Sequence, residues 1–129
     1  MKGALDASAL LALLLKEPGW ERVFAAIYAD SPITTVNFAE VATRYALHGA
    51  SPDVVRNLSR RAPLVLVPVD EELAVEAAVM APLTRPAGLS LGDRMCLALA
   101  KREGIPALTA DRKWEEIAET VGVQVELIR

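Results

Sequence analysis

The chain has 129 residues, of which 53% are hydrophobic and 24% charged, a composition that fits one well-packed domain spanning residues 1–129. No apolar run approaches the roughly 20 residues of a membrane span, and the one cysteine cannot form an internal disulfide. The net charge of −3 argues against a protein that coats nucleic acid indiscriminately. We therefore expect a cytoplasmic protein without a membrane segment.

Short strand-like segments alternate with helical ones along the chain, a pattern typical of a parallel α/β sheet. The predicted strands cover residues 3–6, 33–36, 64–69, 107–110 and 123–128. The predicted helices cover residues 7–15, 20–28, 37–48, 71–83 and 90–103, with shorter helices that begin at Ser51-Pro52 and at Arg112. Residues 84–88 are predicted to be a loop, and Pro68 indicates a strand end or an edge strand.

Four acidic residues lie at or near the places where a predicted strand gives way to a helix. Asp6 ends the first strand, Asp111 ends the fourth, and Glu40 lies in the first turn of the helix after the second. Asp93 lies in the first turn of a helix that is reached through a loop. Because the carboxyl ends of parallel strands emerge on one rim of a sheet, these acids are predicted to converge there.

Several neighbouring carboxylates repel one another unless a cation lies between them. Oxygen-only ligation is preferred by Mg²⁺ or Mn²⁺, and two such ions can activate a water in phosphodiester hydrolysis. We therefore take Asp6, Glu40, Asp93 and Asp111 as candidate metal ligands and catalytic residues. Nearby polar side chains could orient these carboxylates or a metal-bound water; they are Ser8, Asn37 and Thr109.

Helix capping is the alternative explanation for each of these acids. Asn37 with Glu40, and Ser90 with Asp93, have the spacing of a capping box, while Asp111 could be an N-cap and Asp6 a turn residue. Taken together, the four acids favour a site, since an acid beside a wholly apolar helix needs a partner.

Four sequence motifs resemble those of PIN-domain proteins and, more narrowly, of the VapC toxins of bacterial toxin–antitoxin pairs. They are LDASALLALL from Leu5, VNFAEV from Val36, GLSLGDRMCLALA from Gly88 and LTADRKW from Leu108. The resemblance implies a three-layer α/β/α fold with a central parallel sheet of four to five strands. It also implies Mg²⁺- or Mn²⁺-dependent RNA cleavage, a homodimer, and a cognate antitoxin whose peptide fills a groove.

The resemblance places the four acids on the family's acidic positions and Thr109 on its usual hydroxyl residue. Arg94 and Arg112 follow two of these acids and could contact RNA phosphate or the antitoxin, or pair with the carboxylates. Arg85, in the preceding loop, is a further candidate for phosphate contact.

Other residues are expected to be structural. Cys96 is predicted to be a core thiol, and Trp114 to pack in the core. Aromatic residues of the second helix are predicted to be mostly core, although an exposed part of this helical hairpin could form the antitoxin groove; they are Trp20, Phe24 and Tyr28.

Two signalling and phosphatase alternatives fit the sequence poorly. A phosphate-accepting receiver domain needs adjacent acids after the first strand, where Ala7 follows Asp6, and an aspartate-nucleophile phosphatase needs a second Asp at Ser8. A non-toxin RNA-processing PIN nuclease and a non-catalytic PIN-like binding module remain as alternatives. The intact acids count against the binding module.

Overall fold

A computed structural model describes residues 2–129 and shows five short parallel strands. They are β1 (Ala4–Leu5), β2 (Pro32–Thr34), β3 (Val65–Val67), β4 (Ala107–Thr109) and β5 (Val125–Leu127). Backbone hydrogen bonds join β1, β4 and β5 into one group and β2 and β3 into another, and every pairing is parallel. The Gly3 N–H donates to Ser31 Oγ over 3.0 Å, and β2 contacts β1, so the strands follow the order β3-β2-β1-β4-β5.

Eight α-helices connect or follow these strands in the described part of the chain. They are α1 (Ala7–Leu15), α2 (Trp20–Tyr28), α3 (Thr35–Leu47), α4 (Pro52–Arg56), α5 (Glu71–Val79), α6 (Ala81–Thr84), α7 (Leu91–Glu103) and α8 (Ala118–Val121). Three single 3₁₀ turns cover Leu58–Arg60, Arg85–Ala87 and Arg112–Glu116. No helix within residues 2–129 is long and apolar enough to span a membrane.

The helices cover both faces of the strand layer, because successive strand residues point to opposite faces. Ala4 and Ala107 belong to a core with α5, α7 and Trp114, whereas Leu5 and Leu108 belong to a core with α1 and α2. The predicted three-layer α/β/α arrangement is thereby confirmed. Cys96 and Trp114 are both fully buried in the first core, as predicted.

Two predicted helices, 37–48 and 71–83, differ from the observed ones, and the observed strands are shorter than predicted. The third helix begins at Thr35 rather than Asn37, because the Thr34 hydroxyl caps it by accepting the Asn37 N–H over 3.0 Å. The predicted helix 71–83 is divided into α5 and α6, since Pro82 has no N–H to continue the hydrogen bonding of α5. The predicted loop 84–88 contains the 3₁₀ turn Arg85–Ala87.

The aromatic residues of α2 are more exposed than predicted. Val23, Ala26 and Ile27 form the buried face of this helix, whereas Phe24 is 47% and Tyr28 66% exposed. Among the described residues 2–129, β3 pairs only with β2, so the edge position indicated by Pro68 is confirmed.

Candidate active site

Asp6 lies at the carboxyl end of β1 and caps the start of α1. Its side chain is only 4% exposed, and Oδ1 accepts the Ala9 N–H over 2.8 Å. Burial raises its pKa to about 6, against the opposing effect of hydrogen bonds from Thr109, Ser8 and Ala9, and the charge of Asp93 raises it further. A buried carboxylate with this pKa is poised to gain a proton or a cation.

Two hydroxyl groups hold the Asp6 carboxylate in place. Thr109 Oγ1 donates to Oδ2 over 2.6 Å, and Ser8 Oγ donates to Oδ1 and Oδ2 over 2.7 and 2.9 Å. Each hydroxyl also accepts a backbone N–H: Thr109 Oγ1 accepts that of Asp111 over 3.0 Å, and Ser8 Oγ accepts that of Ala110 over 2.9 Å. Because these N–H groups occupy the oxygen lone pairs, the hydroxyl protons are directed at Asp6.

Asn37 connects Glu40 to the start of α7. Asn37 is 1% exposed, and the Thr34 hydroxyl donates to its Oδ1 over 2.6 Å, which fixes the orientation of the amide. Its Nδ2 donates to Glu40 Oε1 over 3.0 Å and to the Gly92 carbonyl over 2.9 Å. Partial burial raises the pKa of Glu40, the Asn37 hydrogen bond lowers it, and the charge of Asp93 raises it. Glu40 is therefore held beside α7 although one side of it is exposed.

Asp93 is both a helix cap and a member of the acidic cluster. Its backbone N–H donates to Ser90 Oγ over 3.2 Å and its Oδ2 accepts the Ser90 N–H over 2.9 Å, so the capping box at this position is confirmed. The same side chain acts electrostatically on Asp6 and Glu40.

The charges of the three acids also act on Cys96, which lies one turn further along α7. The pKa of this thiol is raised by burial and then by the charges of Asp6, Asp93 and Glu40. The residue after β1, a residue of α3 and a residue of α7 thus supply three carboxylates whose charges act on this part of the carboxyl rim.

Asp111 lies on the same rim but has a different local role. Its Oδ1 accepts the Lys113 N–H over 3.0 Å and caps the 3₁₀ turn Arg112–Glu116, as the capping alternative predicted. Asp93, and not Asp111, is the acid whose charge raises the pKa of both Asp6 and Glu40. Glu40, by contrast, is not part of a capping box, because Thr34 rather than Asn37 caps α3.

The chemistry of these side chains fits a hard divalent cation such as Mg²⁺ or Mn²⁺. All of the donors are oxygens, and the buried Asp6 carboxylate faces the like charge of Asp93. Within residues 2–129, no three Asp, Glu, His or Cys side chains lie close enough to hold an ion as they stand. Asp93 and Asp111 each use one carboxylate oxygen to cap a helix or a 3₁₀ turn.

The three candidate arginines do not pair with the acids. Arg94 Nη1 donates to the Ala77 carbonyl of α5 over 2.9 Å, so this side chain ties α7 to α5. In the described part of the chain, none of Arg85, Arg94 and Arg112 forms an ion pair. Arg85 and Arg94 line one recess of about 300 Å³, and Arg112 is exposed.

Two contributors to the site were missed in the sequence. The signal for Thr34 was a hydroxyl residue three positions before Asn37, which is N-cap spacing. The signal for Gly92 was an isolated glycine inside a helical pattern, which is unfavourable for the helix and can have a packing or functional reason.

The fold and the acidic rim define an α/β/α domain with a candidate metal site made of carboxylates. Comparison with known proteins identifies its family. The PIN domain family model matches residues 4–120, so the chain belongs to the PIN-domain family. The family indicated by the sequence motifs is thereby confirmed. Comparison with curated proteins gives no match.

Solved structures with the same fold include several toxin–antitoxin complexes. The DNA-bound VapBC of Salmonella typhimurium is 17% identical, with a TM-score of 0.74 over 100% of this chain and 99% of that one. VapBC2 of Rickettsia felis, bound to a promoter DNA fragment, is 13% identical, with a TM-score of 0.71 and 98% of each chain covered. VapBC-5 of Mycobacterium tuberculosis is 23% identical, with a TM-score of 0.61 over 99% and 98%.

Proposed function

We propose that this protein is a Mg²⁺- or Mn²⁺-dependent endoribonuclease and the toxin of a VapBC-type toxin–antitoxin pair. The observation that carries the proposal is that the charge of Asp93 acts on both Asp6 and Glu40, which come from separate segments of the chain. Membership of the PIN-domain family supports the same conclusion.

Asp6, Glu40 and Asp93 are the side chains that would hold the cation, with Asp111 beside them on the rim. A bound divalent cation supplies charge neutralisation and water activation for phosphodiester hydrolysis. Thr109 and Ser8 orient the Asp6 carboxylate, and Asn37 orients Glu40, through the hydrogen bonds described above. Arg94 and Arg112 directly follow Asp93 and Asp111, and Arg85 lies before α7. These three arginines are proposed to contact RNA phosphate or the antitoxin.

The test is RNA cleavage by the metal-loaded protein and by the variants Asp6→Asn and Asp93→Asn. Each substitution removes a negative charge but preserves side-chain shape, so cleavage in Mg²⁺ should be abolished while the circular dichroism spectrum is retained. Asp53→Asn is the matched control, because Asp53 is exposed and pairs only with Arg56. Full activity of either site variant would refute the proposed function.

The groove between α1 and α2 supports a peptide partner for the toxin. Residues 61–63 close this groove of about 410 Å³, and Phe24 and Tyr28 line it while remaining exposed. Lys16 and Arg61 place positive charge at its border, which suits an apolar peptide with acidic residues. We propose the cognate antitoxin as its occupant.

The regulatory part of the proposal is tested by the product of an adjacent small reading frame. This product should copurify with the chain and inhibit its RNase activity. An active enzyme without such a neighbour would indicate an RNA-processing nuclease instead. The proposal includes a homodimer in the cytoplasm, for which light scattering of the purified chain should give twice the mass of 13.9 kDa.

A further inference from the structure

We propose that Gly92 is a positioning residue of the acidic site, because its missing side chain leaves the space that the Glu40 carboxylate occupies beside Asp93. This inference rests on the proposed function, since it concerns the metal affinity of the same site. It assigns a role to a residue that carries no ligating group.

The contact between α3 and α7 carries the proposal. A Cβ atom at Gly92 would lie 2.5 Å from Glu40 Oε1 and 2.6 Å from Glu40 Cδ, and it would also overlap Oε2. Real Cβ atoms essentially never approach another heavy atom closer than 3.0 Å. The Glu40 carboxylate therefore lies directly against the backbone of α7, where only glycine leaves it room.

The backbone of Gly92 does not itself require glycine. Gly92 is the second residue of α7 and is absent from the glycines with positive φ. Alanine is a better helix former than glycine at such a position. The glycine is thus unfavourable for the helix and favourable for the placement of Glu40.

Asn37 holds the Glu40 carboxylate against the backbone of α7 at Gly92. The same Nδ2 group donates to Glu40 Oε1 and to the Gly92 carbonyl, so the carboxylate is fixed relative to the backbone of α7. A methyl group at residue 92 would push the carboxylate away from this backbone and from the Asn37 amide. Glu40 would then remain in the protein but leave the position in which it acts with Asp93.

The experiment measures Mn²⁺ binding by titration calorimetry on metal-free protein, without reference to catalysis. Gly92→Ala should weaken Mn²⁺ binding by about 10- to 100-fold, the range for residues that orient metal ligands. Its melting temperature should be no lower than that of the original protein, and the side-chain amide resonance of Asn37 should shift. Leu91→Ala is the matched control, because Leu91 is the preceding residue and is 52% exposed, and it should retain the original affinity.

A double variant tests whether Gly92 acts through Glu40. In a Glu40→Ala background, adding Gly92→Ala should cause no further loss of Mn²⁺ affinity, because the displaced carboxylate is already absent. Losses that add would overturn the proposal, as would an unchanged affinity or an unchanged Asn37 resonance in Gly92→Ala. If Gly92→Ala alone fails to fold, folding of the double variant supports the steric argument and its failure to fold refutes it.

Failure of this inference is distinct from failure of the proposed function. An original protein that binds no Mn²⁺ and cleaves no RNA would refute the proposed function. An original protein that does both, with Gly92→Ala behaving identically, would refute only the role of Gly92.

Discussion

The Thr109 hydroxyl donates a 2.6 Å hydrogen bond to Asp6 Oδ2 and joins two residues that are 103 positions apart in the chain. Both residues are buried at the carboxyl ends of adjacent parallel strands, β1 and β4. The same hydroxyl oxygen accepts the Asp111 N–H, so it connects the buried acid to the outer one. This contact favours the ionised form of Asp6 against the effect of burial.

Replacing Thr109 with Val should raise the pKa of Asp6 further. The change removes a donor to the carboxylate and leaves the Asp111 N–H without its partner, at a cost of about 1–3 kcal/mol in the free energy of unfolding. The pH at which Mn²⁺ binding is half-maximal should therefore increase. Thr109→Ser keeps the hydroxyl and should retain the original pH dependence; a shift of equal size in both variants would contradict this role.

Asp6 should make the metal-free protein less stable as the pH rises. Its pKa of about 6 in the folded state lies above the ordinary value of 3.8, so the folded state holds the proton more tightly than the unfolded state. The contribution of Asp6 to stability is thus present below pH 4 and is lost between about pH 4 and 6, by about 3 kcal/mol.

Urea denaturation in a chelator from pH 4.5 to 7.5 measures this effect. Asp6→Asn cannot ionise, so its free energy of unfolding should decrease less over this range than that of the original protein. An identical decrease in the two proteins would mean that another group is responsible.

Asp111→Asn should separate capping from metal binding. Asparagine can still accept the Lys113 N–H, so stability should be retained, whereas Asp111→Ala should lose about 1 kcal/mol with the cap. Because Asp111 is not among the charges that raise the pKa of Asp6, we expect Asp111→Asn to weaken Mn²⁺ binding less than Asp93→Asn. Calorimetry on the three variants gives the order, and a larger loss for Asp111→Asn would contradict it.

Replacing Arg94 should change the stability of the protein, whereas replacing Arg85 should change its RNA binding. Arg94→Met removes a charged hydrogen bond to the Ala77 carbonyl and should lower the free energy of unfolding by about 1.5–3 kcal/mol. Arg85→Ala should leave stability unchanged but decrease the salt dependence of RNA binding by about one counterion, if it contacts phosphate. Arg56→Ala, on an exposed helix, is the control for RNA binding, and equal effects of Arg56 and Arg85 would exclude a specific contact.

Phe24→Ala should weaken binding of the proposed antitoxin without destabilising the protein. The side chain is 47% exposed and lines the groove between α1 and α2, so the free protein loses little when it is removed. Burial of an aromatic anchor in a complex is worth about 2 kcal/mol or more, which is roughly a 30-fold change in Kd. Val75→Ala, at an exposed position on α5, is the control. Equal antitoxin affinity of the Phe24 variant and the original protein would place the partner elsewhere.

The sequence by itself determined the alternation of strands and helices, the parallel sheet and the position of acids near strand ends. The strands, the helices and the acids at their ends are local features, because hydrophobic periodicity and the residues that begin and end elements act over a few neighbouring positions. The parallel sheet follows from the alternation of strands and helices. Sequence alone also indicated the capping box of Ser90 and Asp93. The sequence did not show whether Asp93 is a helix cap or part of the acidic site. In the structure Asp93 caps α7 and its charge also acts on Asp6.

Only the tertiary structure decided which acids meet and what surrounds them. The burial of Asp6, the contact of Glu40 with Gly92 and the exposure of Phe24 depend on how distant segments pack. The pKa of Asp6 is raised mainly by lost hydration, which depends on the packing of distant segments, although two of its donors, Ser8 and Ala9, are close to it in the sequence. The sequence shows which acids the chain carries. The charge of Asp93 acts on Glu40 because α3 and α7 pack together at the rim.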